Sequence, residues 1–334
     1  MTAVAVVGTG SAGRRHASNF LAAGADEVVL VSRRPSDPVR LGEHTVAVLD
    51  ALDDALARAD AVVIANPTAL HLEVLRRAIE ADVHVLCEKP VSVSAAGVAD
   101  LARRARDRGV VVGVCCQMRF HPLMAQLRDL VNGGALGIVI DAETTQGEHL
   151  ADYHPDEDYR VSYAARAELG GGVLLTQIHQ IDFLQWVLGR FARVRAVGGR
   201  RSPLEIDVED TVSYFLESCA DVPVRGHLDY LRRPKRLGLT VTGTEGVVTW
   251  DYYAGSLEHC AADGSVQRTV LEGFERNDLF TALVDDFLVA VRTGAEPRTT
   301  LDDAAHALAV VDALRQSMDE RRTIDVCATG AGRG

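Results

Sequence analysis

The chain has 334 residues, more than a single hydrophobic core usually serves, so we expect two domains. With 47% hydrophobic residues, 25% charged residues and ten prolines, its composition is that of a globular protein and argues against a disordered chain. The formal net charge of −12, without any tract dense in lysine and arginine, argues against nucleic acid or an anionic membrane as a partner.

The sequence predicts neither a membrane-spanning stretch nor an export signal. It passes from Met1 directly into a hydrophobic strand without a basic leader, so we expect a cytoplasmic protein. The six cysteines include no C-x-x-C pair, which predicts free thiols and argues against a zinc site or a disulfide framework. We therefore expect no bound metal.

Short β-branched runs alternate with amphipathic stretches over the first 116 residues. This pattern predicts an α/β fold, a doubly wound parallel sheet of the Rossmann type, and we place this domain at residues 1–118. The predicted strands are Val4–Val7, Val28–Val31, Val46–Val48, Ala61–Ile64, Val83–Leu86 and Val110–Val114, and the predicted helices are Arg14–Ala23, Ala51–Arg58, His71–Ala81 and Ala95–Arg108.

Residues 119–334, which we predict to form the second domain, show a different pattern of secondary structure. Their later strand-like runs follow one another too closely for crossover helices, which predicts an α/β domain with a large, mainly antiparallel open sheet. The predicted helices are Leu123–Asn132, Val173–Leu188, Leu279–Thr293 and Leu301–Glu320, and the predicted strands are Ile138–Thr145, Val194–Gly198, Thr211–Glu217, Val224–Tyr230, Leu237–Thr242 and Val247–Asp251.

A glycine-rich motif, Gly8-Thr9-Gly10-Ser11-Ala12-Gly13, lies between the first predicted strand and the first predicted helix. In that position G-x-G-x-x-G is typical of a dinucleotide site: Gly8 permits the tight turn, Gly10 admits the pyrophosphate and Gly13 allows close packing. At the end of the second strand, Ser32-Arg33-Arg34 replaces the carboxylate that NAD-specific enzymes usually carry. This run slightly favours NADP over NAD, although a basic turn balanced by Asp37 is an alternative.

Two further motifs follow the fourth and fifth strands, at the sheet edge where open α/β folds bind ligands. They are Asn66-Pro67-Thr68, with His71 in the next helix, and Glu88-Lys89-Pro90. We predict that both belong to the cofactor site. Alternatively, the prolines only end strands and His71 only caps a helix.

Together with Gly170-Gly171-Gly172 and His179-Gln180-Ile181-Asp182, these ordered motifs resemble the Gfo/Idh/MocA (glucose-fructose oxidoreductase / inositol dehydrogenase) family across nearly the whole chain. The resemblance implies a Rossmann domain followed by an α/β domain whose open sheet often forms dimer or tetramer contacts. It also implies that Lys89 is the catalytic lysine before a cis proline, and that His179 faces the nicotinamide.

The chemistry of these two side chains fits the implied activity. Oxidation of a carbinol needs a proton acceptor, which a histidine provides near neutral pH, and a lysine stabilises the developing alkoxide. Within one helix at Val173–Leu188, Thr176, His179 and Asp182 would share a face toward the cleft. Thr176 stands where many family members carry an aspartate, so His179 lacks that carboxylate partner.

We expect the substrate to contact the polar segment 147–166 and residues beside it. Five carboxylates within eleven residues, from Glu148 to Asp158, suggest a cationic substrate such as an aminoglycoside, whereas the nearby arginines suggest an anionic one. The candidate substrate residues are Arg119, Tyr159, Arg160, Tyr163, Arg166, Thr176 and Asp182.

The motifs at 168–175 and 227–234 resemble the branch of the family found in amino-sugar and cell-surface sugar biosynthesis. This predicts an NAD(P)-dependent enzyme that interconverts a secondary alcohol and a ketone on a sugar or cyclitol, as a step before transamination. The alternatives are an NAD-dependent glycosidase of the same fold and a non-catalytic NADP-sensing protein.

Overall fold

The computed structural model describes residues 2–33, 37–153 and 155–326. These residues form two compact units, residues 2–117 with 275–305 and residues 118–274 with 306–326. Segment 275–305, which the sequence pattern placed in the second domain, thus lies in the first unit. None of the helices in the described part of the chain is long and apolar enough to cross a membrane.

The first unit contains a six-stranded parallel sheet, as predicted. Val4–Val7 and Ala61–Ile64 are buried throughout, as expected of strands that helices cover on both faces. The strands of this unit are β1 (Ala3–Val7), β2 (Glu27–Val31), β3 (Val39–Leu41), β4 (His44–Val46), β5 (Val48–Leu49), β6 (Ala61–Ile64), β7 (His84–Cys87) and β8 (Val112–Val114). The sheet order is β5-β2-β1-β6-β7-β8, so the order of the strands reverses between β1 and β6.

One predicted strand of this unit changes its partner along its length. Val46 ends β4, which pairs with β3 in a separate hairpin, whereas Val48 begins β5, which pairs with β2 of the main sheet. The predicted run Val46–Val48 is therefore wrong as a single strand.

Helices connect the parallel strands. In one of them Val98, Leu101, Ala102 and Ala105 are buried at the i, i+3, i+4, i+7 spacing of an amphipathic helix. The helices are α1 (Ser11–Ala22), α2 (Leu52–Leu56), α3 (His71–Glu80) and α4 (Val98–Asp107), and Arg276–Thr293 joins them from later in the chain.

The second unit contains a nine-stranded sheet that is antiparallel except where β9 pairs with β12. Along β11, Val212, Tyr214 and Leu216 are buried while Ser213 and Phe215 are exposed, as expected of a sheet with one covered face. Its strands are β9 (Val139–Gly147), β10 (Phe191–Gly199), β11 (Thr211–Ser218), β12 (Pro223–Asp229), β13 (Arg236–Gly243), β14 (Gly246–Asp251), β15 (Ser256–Ala261), β16 (Val266–Val270) and β17 (Ile324–Asp325), in the order β16-β15-β14-β13-β9-β12-β11-β10-β17.

The remaining helices are α5 (Pro122–Asn132), α6 (Val173–Thr176), α7 (His179–Leu188), α8 (Arg276–Thr293) and α9 (Leu301–Glu320). The single helix predicted at Val173–Leu188 is wrong, because the chain breaks at Gln177, whose φ is −102° and ψ is 25°. The Gln177 side chain donates hydrogen bonds to Tyr153 Oη at 2.8 Å and to the Asp229 carbonyl at 3.3 Å. These contacts hold Gln177 where the helix is interrupted.

Candidate active site

The glycine motif forms a tight turn between β1 and α1. Gly8 has a φ of +121°, which residues with a Cβ rarely adopt, and a Cβ there would lie 2.5 Å from the Ala65 carbonyl oxygen. A Cβ on Gly13 would lie 2.0 Å from the Gly8 carbonyl oxygen. The packing of the protein itself therefore requires both glycines.

Gly10 has no such constraint within the protein. It is exposed, and a Cβ on it would meet no atom of the described residues within 4 Å. The adjacent Ser11 and Ala12 begin α1, and no side chain caps this helix. Amide groups at a helix N-terminus attract anions, so the turn fits the pyrophosphate of a dinucleotide.

The neighbouring strand ends carry the other predicted cofactor residues. After β2, Ser32 is half-buried and Arg33 is exposed, while Arg34 lies outside the described residues. After β6, the Oδ1 atom of Asn66 is buried and has no hydrogen-bond partner among the described residues, which is consistent with a ligand donor there. Pro67 is exposed, and Thr68, 5% exposed, begins a 3-10 turn.

His71 links two loops of this edge. Its Nε2 lies 2.7 Å from the Asn66 carbonyl oxygen and its Nδ1 lies 2.8 Å from the Pro90 carbonyl oxygen. Both nitrogens can donate at once only when the ring is protonated, whereas burial lowers the pKa of His71. The ring is 1% exposed and contacts a backbone carbonyl oxygen with each nitrogen, so His71 links the two loops of the predicted cofactor site.

Lys89 follows β7, and its peptide bond to Pro90 is cis. Burial lowers the pKa of Lys89, and the neighbouring carboxylate of Glu88 opposes that effect. Burial acts to raise the pKa of Glu88, but a hydrogen bond from His16 and nearby positive charges lower it to about 2. The chain contains only two lysines, of which Lys89 is half-buried and Lys235 is exposed.

In the second unit, His179 is the first residue of α7 and is 8% exposed. One turn later, Asp182 forms a buried ion pair with Arg119: Arg119 Nη2 lies 2.6 Å from Oδ1, and Nε lies 3.1 Å from Oδ2. Two predicted substrate residues are therefore directed at each other. Their geometry indicates that they fix α7 to the segment before α5.

Thr176 is in α6, so the prediction that it shares a helix face with His179 is wrong, because the chain breaks at Gln177 between them. Its Oγ1 accepts a hydrogen bond from Tyr230 Oη at 2.7 Å. Nearby, Gln180 donates to Thr144 Oγ1 at 3.1 Å and accepts from Tyr214 Oη. The sequence pattern assigned no role to Thr144, Gln180 or Tyr214, whose only signal is polarity within apolar runs.

The predicted substrate segment is a series of 3-10 turns whose arginines are paired. Arg160 binds Asp158 and Glu205, each at 2.9 Å, and Arg166 lies 3.9 Å from Asp207. Tyr159 Oη accepts from the Glu205 amide at 3.4 Å, and Tyr163 is 38% exposed.

The acidic residues of this segment are also largely neutralised. Asp152 receives two hydrogen bonds from Arg233, at 2.8 and 2.7 Å, and Glu148 lies 3.4 Å from Lys235 Nζ. With Asp158 on Arg160, three of the five carboxylates are paired. The argument for a cationic substrate is therefore weak, because it treated these three carboxylates as unpaired, whereas the fold pairs each of them with a basic side chain.

Comparison with known proteins agrees with this architecture. Residues 2–116 match the oxidoreductase family with an NAD-binding Rossmann fold, and residues 124–249 match the GFO/IDH/MocA C-terminal domain. The chain therefore belongs to the Gfo/Idh/MocA family of oxidoreductases, which confirms the predicted family, fold class and enzyme class.

Three similar proteins illustrate the range of this family. The dTDP-3,4-didehydro-2,6-dideoxy-alpha-D-glucose 3-reductase of Streptomyces violaceoruber is 31% identical in an alignment of 328 positions that covers 91% of each chain. The D-xylose 1-dehydrogenase (NADP(+)) 2 of Haloferax volcanii is 28% identical over 82% of each chain. The solved structure of GenD2 from gentamicin A biosynthesis, in complex with NAD, has a TM-score of 0.80 and 26% identity, and the alignment covers 97% of this chain and 96% of that one.

Proposed function

We propose that the chain is an NAD(P)-dependent dehydrogenase that interconverts a secondary alcohol and a ketone on a sugar or cyclitol. The observation that carries the proposal is the position of Lys89. This half-buried lysine follows β7, on the same sheet edge as the glycine turn after β1. Ligands of open parallel sheets bind at this edge, beside the point where the strand order reverses.

The residues around the glycine turn suit a dinucleotide. The amides at Gly10 and Ser11 would hold the pyrophosphate, and Asn66 Oδ1 would accept a hydrogen bond from the ligand. The exposed Arg33 after β2 supports a slight preference for NADP, whose 2′-phosphate it could bind. The bound nicotinamide supplies the hydride acceptor or donor.

Lys89 and His179 supply the acid–base groups in this proposal. The Lys89 ammonium group donates a hydrogen bond to the carbinol or carbonyl oxygen and stabilises its negative charge. Its lowered pKa brings proton transfer at Nζ closer to neutral pH. The His179 imidazole takes the hydroxyl proton during oxidation and returns it during reduction.

For the substrate, we propose a biosynthetic sugar, oxidised or reduced at a ring carbon before transamination. Two of the relatives support this by name, one reducing a dTDP-linked keto sugar and one belonging to gentamicin A biosynthesis. Because the acidic segment is largely paired, we place nucleotide sugars and neutral sugars ahead of polycationic aminoglycosides.

We also propose that the chain forms a homodimer or homotetramer through the open face of the nine-stranded sheet. Val197 and Phe215 are each 58% exposed on neighbouring strands, and Ile140 on β9 is 51% exposed. Light scattering of the purified protein tests this proposal, which a strictly monomeric solution would contradict.

The function is tested with nucleotide sugars, free sugars, aminoglycosides and inositol, by following nicotinamide absorbance with each cofactor. Lys89→Met should lower kcat by roughly two to four orders of magnitude while cofactor titration stays nearly unchanged. If Lys89→Met retains more than about a tenth of wild-type kcat, Lys89 has no central role. Release of the aglycone from a glycoside would favour the glycosidase, and cofactor binding without any turnover would favour the sensor.

A further inference from the structure

A buried histidine joins α1 to the turn that carries Lys89. His16 is 0% exposed, and its Nε2 lies 2.8 Å from Glu88 Oε1. Because a carboxylate only accepts hydrogen bonds, the shared proton lies on the ring nitrogen. The other ring nitrogen, Nδ1, is buried and has no partner among the described residues. Glu88 is therefore the carboxylate that accepts the hydrogen bond from this ring.

The second oxygen of the same carboxylate faces Lys89. Glu88 Oε2 accepts a hydrogen bond from the backbone amide of Lys89 at 3.2 Å. Arg15, next to His16 on α1, lies 3.6 Å from Oε1, and its guanidinium stacks 3.7 Å above the Phe280 ring. The carboxylate is therefore held between two side chains of α1 and the backbone of Lys89.

Cys115 completes a cluster whose ligand atoms lie within 4.8 Å of one another, with Sγ at 3.7 Å from His16 Nε2. Three such groups could hold a metal ion, but burial raises the pKa of Cys115 well above its usual value and keeps it a thiol. The guanidinium of Arg15 also lies beside the carboxylate. These features favour a hydrogen-bonded network.

We propose that His16 is a positioning residue for Lys89, an inference that rests on the proposed function. By holding the Glu88 carboxylate in place, His16 keeps a negative charge on the residue next to Lys89, where that carboxylate accepts a hydrogen bond from the Lys89 backbone amide. Because α1 begins at the glycine turn, the same hydrogen bond ties the dinucleotide-binding helix to the reactive lysine.

Four groups set the charge environment of Lys89. Burial, Arg276 and Arg15 all lower the pKa of Lys89, whereas Glu88 and Cys116 raise it. Without the His16 hydrogen bond, the Glu88 carboxylate can turn away from Lys89. Its negative charge, which is the largest effect that raises the pKa of Lys89 against burial, then acts more weakly. Loss of His16 should therefore lower the pKa of Lys89 further.

The two-lysine composition permits a direct measurement on the apoprotein. Competitive acetylation across a pH series, read by mass spectrometry of the Lys89 peptide, gives the pKa of its ammonium group. Lys235, which is half exposed, serves as the internal reference in the same sample. The measurement needs no substrate and no bound cofactor.

The decisive variants are His16→Phe and His16→Gln. Phenylalanine keeps a ring packed against Phe280, whose ring centroid lies 6.0 Å from that of His16, but it removes the hydrogen-bond donor. In this variant the pKa of Lys89 should therefore fall by roughly one unit. Glutamine retains an amide donor, so in His16→Gln the pKa of Lys89 should recover most of the difference between His16→Phe and the wild type. Glu88→Gln, which removes the negative charge but keeps the size of the side chain, should also lower the pKa of Lys89.

Asn19→Leu is the matched control on the same helix. Asn19 exchanges hydrogen bonds with Asn277, at 3.3 and 3.0 Å, and within the described part of the chain it makes no hydrogen bond to Glu88. This variant should lower thermal stability without moving the pKa of Lys89. In turnover assays, His16→Phe should lower kcat roughly tenfold to a hundredfold and move the Lys89 limb of the pH profile to lower pH.

The outcomes separate the two proposals. If Lys89→Met is inactive but the pKa of Lys89 in His16→Phe equals the wild-type value, as it should in Asn19→Leu, the role of His16 is overturned while the proposed function stands. If Lys89→Met retains wild-type kcat, the catalytic role of Lys89 and the inference on His16 both fail. A lower pKa in His16→Phe and Glu88→Gln, with recovery in His16→Gln, supports the inference.

Discussion

The Arg119–Asp182 pair allows a sharp test of structural against substrate-binding roles. Both side chains are almost fully buried, at 3% and 2% exposed, and two hydrogen bonds join them. Removing one partner of such a pair leaves a buried charge uncompensated, which costs about 3–5 kcal/mol. Asp182→Asn keeps the volume and one acceptor, so we expect a loss near 3 kcal/mol. For a domain of this size that corresponds to a fall in Tm of roughly 6–12 °C.

Urea and thermal unfolding of Arg119→Met, Asp182→Leu and the double variant complete a mutant cycle. The double variant should be more stable than either single variant, because no unpaired charge remains buried. If Asp182→Asn keeps its Tm within about 2 °C of wild type and instead raises KM, the pair binds substrate, as the sequence pattern predicted.

The other predictions concern the glycine turn, one buried histidine and the cofactor preference. Gly10→Ala should leave the free energy of unfolding unchanged but weaken NAD(P)H binding. Gly13→Ala should destabilise the fold by about 1–3 kcal/mol, because its Cβ would lie 2.0 Å from a carbonyl oxygen. If the two variants behave alike in urea unfolding and in cofactor titrations, this distinction is refuted. Burial lowers the pKa of His121 from 6.5 to about 4, so the unfolded chain binds the extra proton first, and stability should fall by about 3 kcal/mol between pH 7 and pH 4. His121→Phe, whose ring suits the aromatic cage of Trp250, Tyr252 and Phe274, should remove that loss, and an unchanged pH dependence of Tm would contradict it. Arg33→Ala should weaken NADPH binding by about 1.5–3 kcal/mol with little effect on NADH, and equal losses for both cofactors would favour NAD.

The sequence alone determined the features that depend on neighbours along the chain. The glycine motif between a strand and a helix, the buried strand runs and the order of Asn66 and Lys89 after their strands all followed from local pattern. Backbone conformation and strand or helix periodicity are set mainly by nearby residues. The parallel sheet then brings the ends of its strands to one edge, so a candidate cofactor site could be predicted without coordinates.

The tertiary structure decided which polar side chains face each other. Arg119 and Asp182 are 63 residues apart, and Asp152 and Arg233 are 81 apart, so no local pattern could show that these charged side chains neutralise one another. At the helix break, the Gln177 side chain donates a hydrogen bond to the carbonyl of Asp229, which is 52 residues away. Likewise, His16 meets Glu88 only because α1 packs beside the turn after β7. Coulomb attraction acts through space, so which charges pair depends on the tertiary structure that brings residues distant in sequence together.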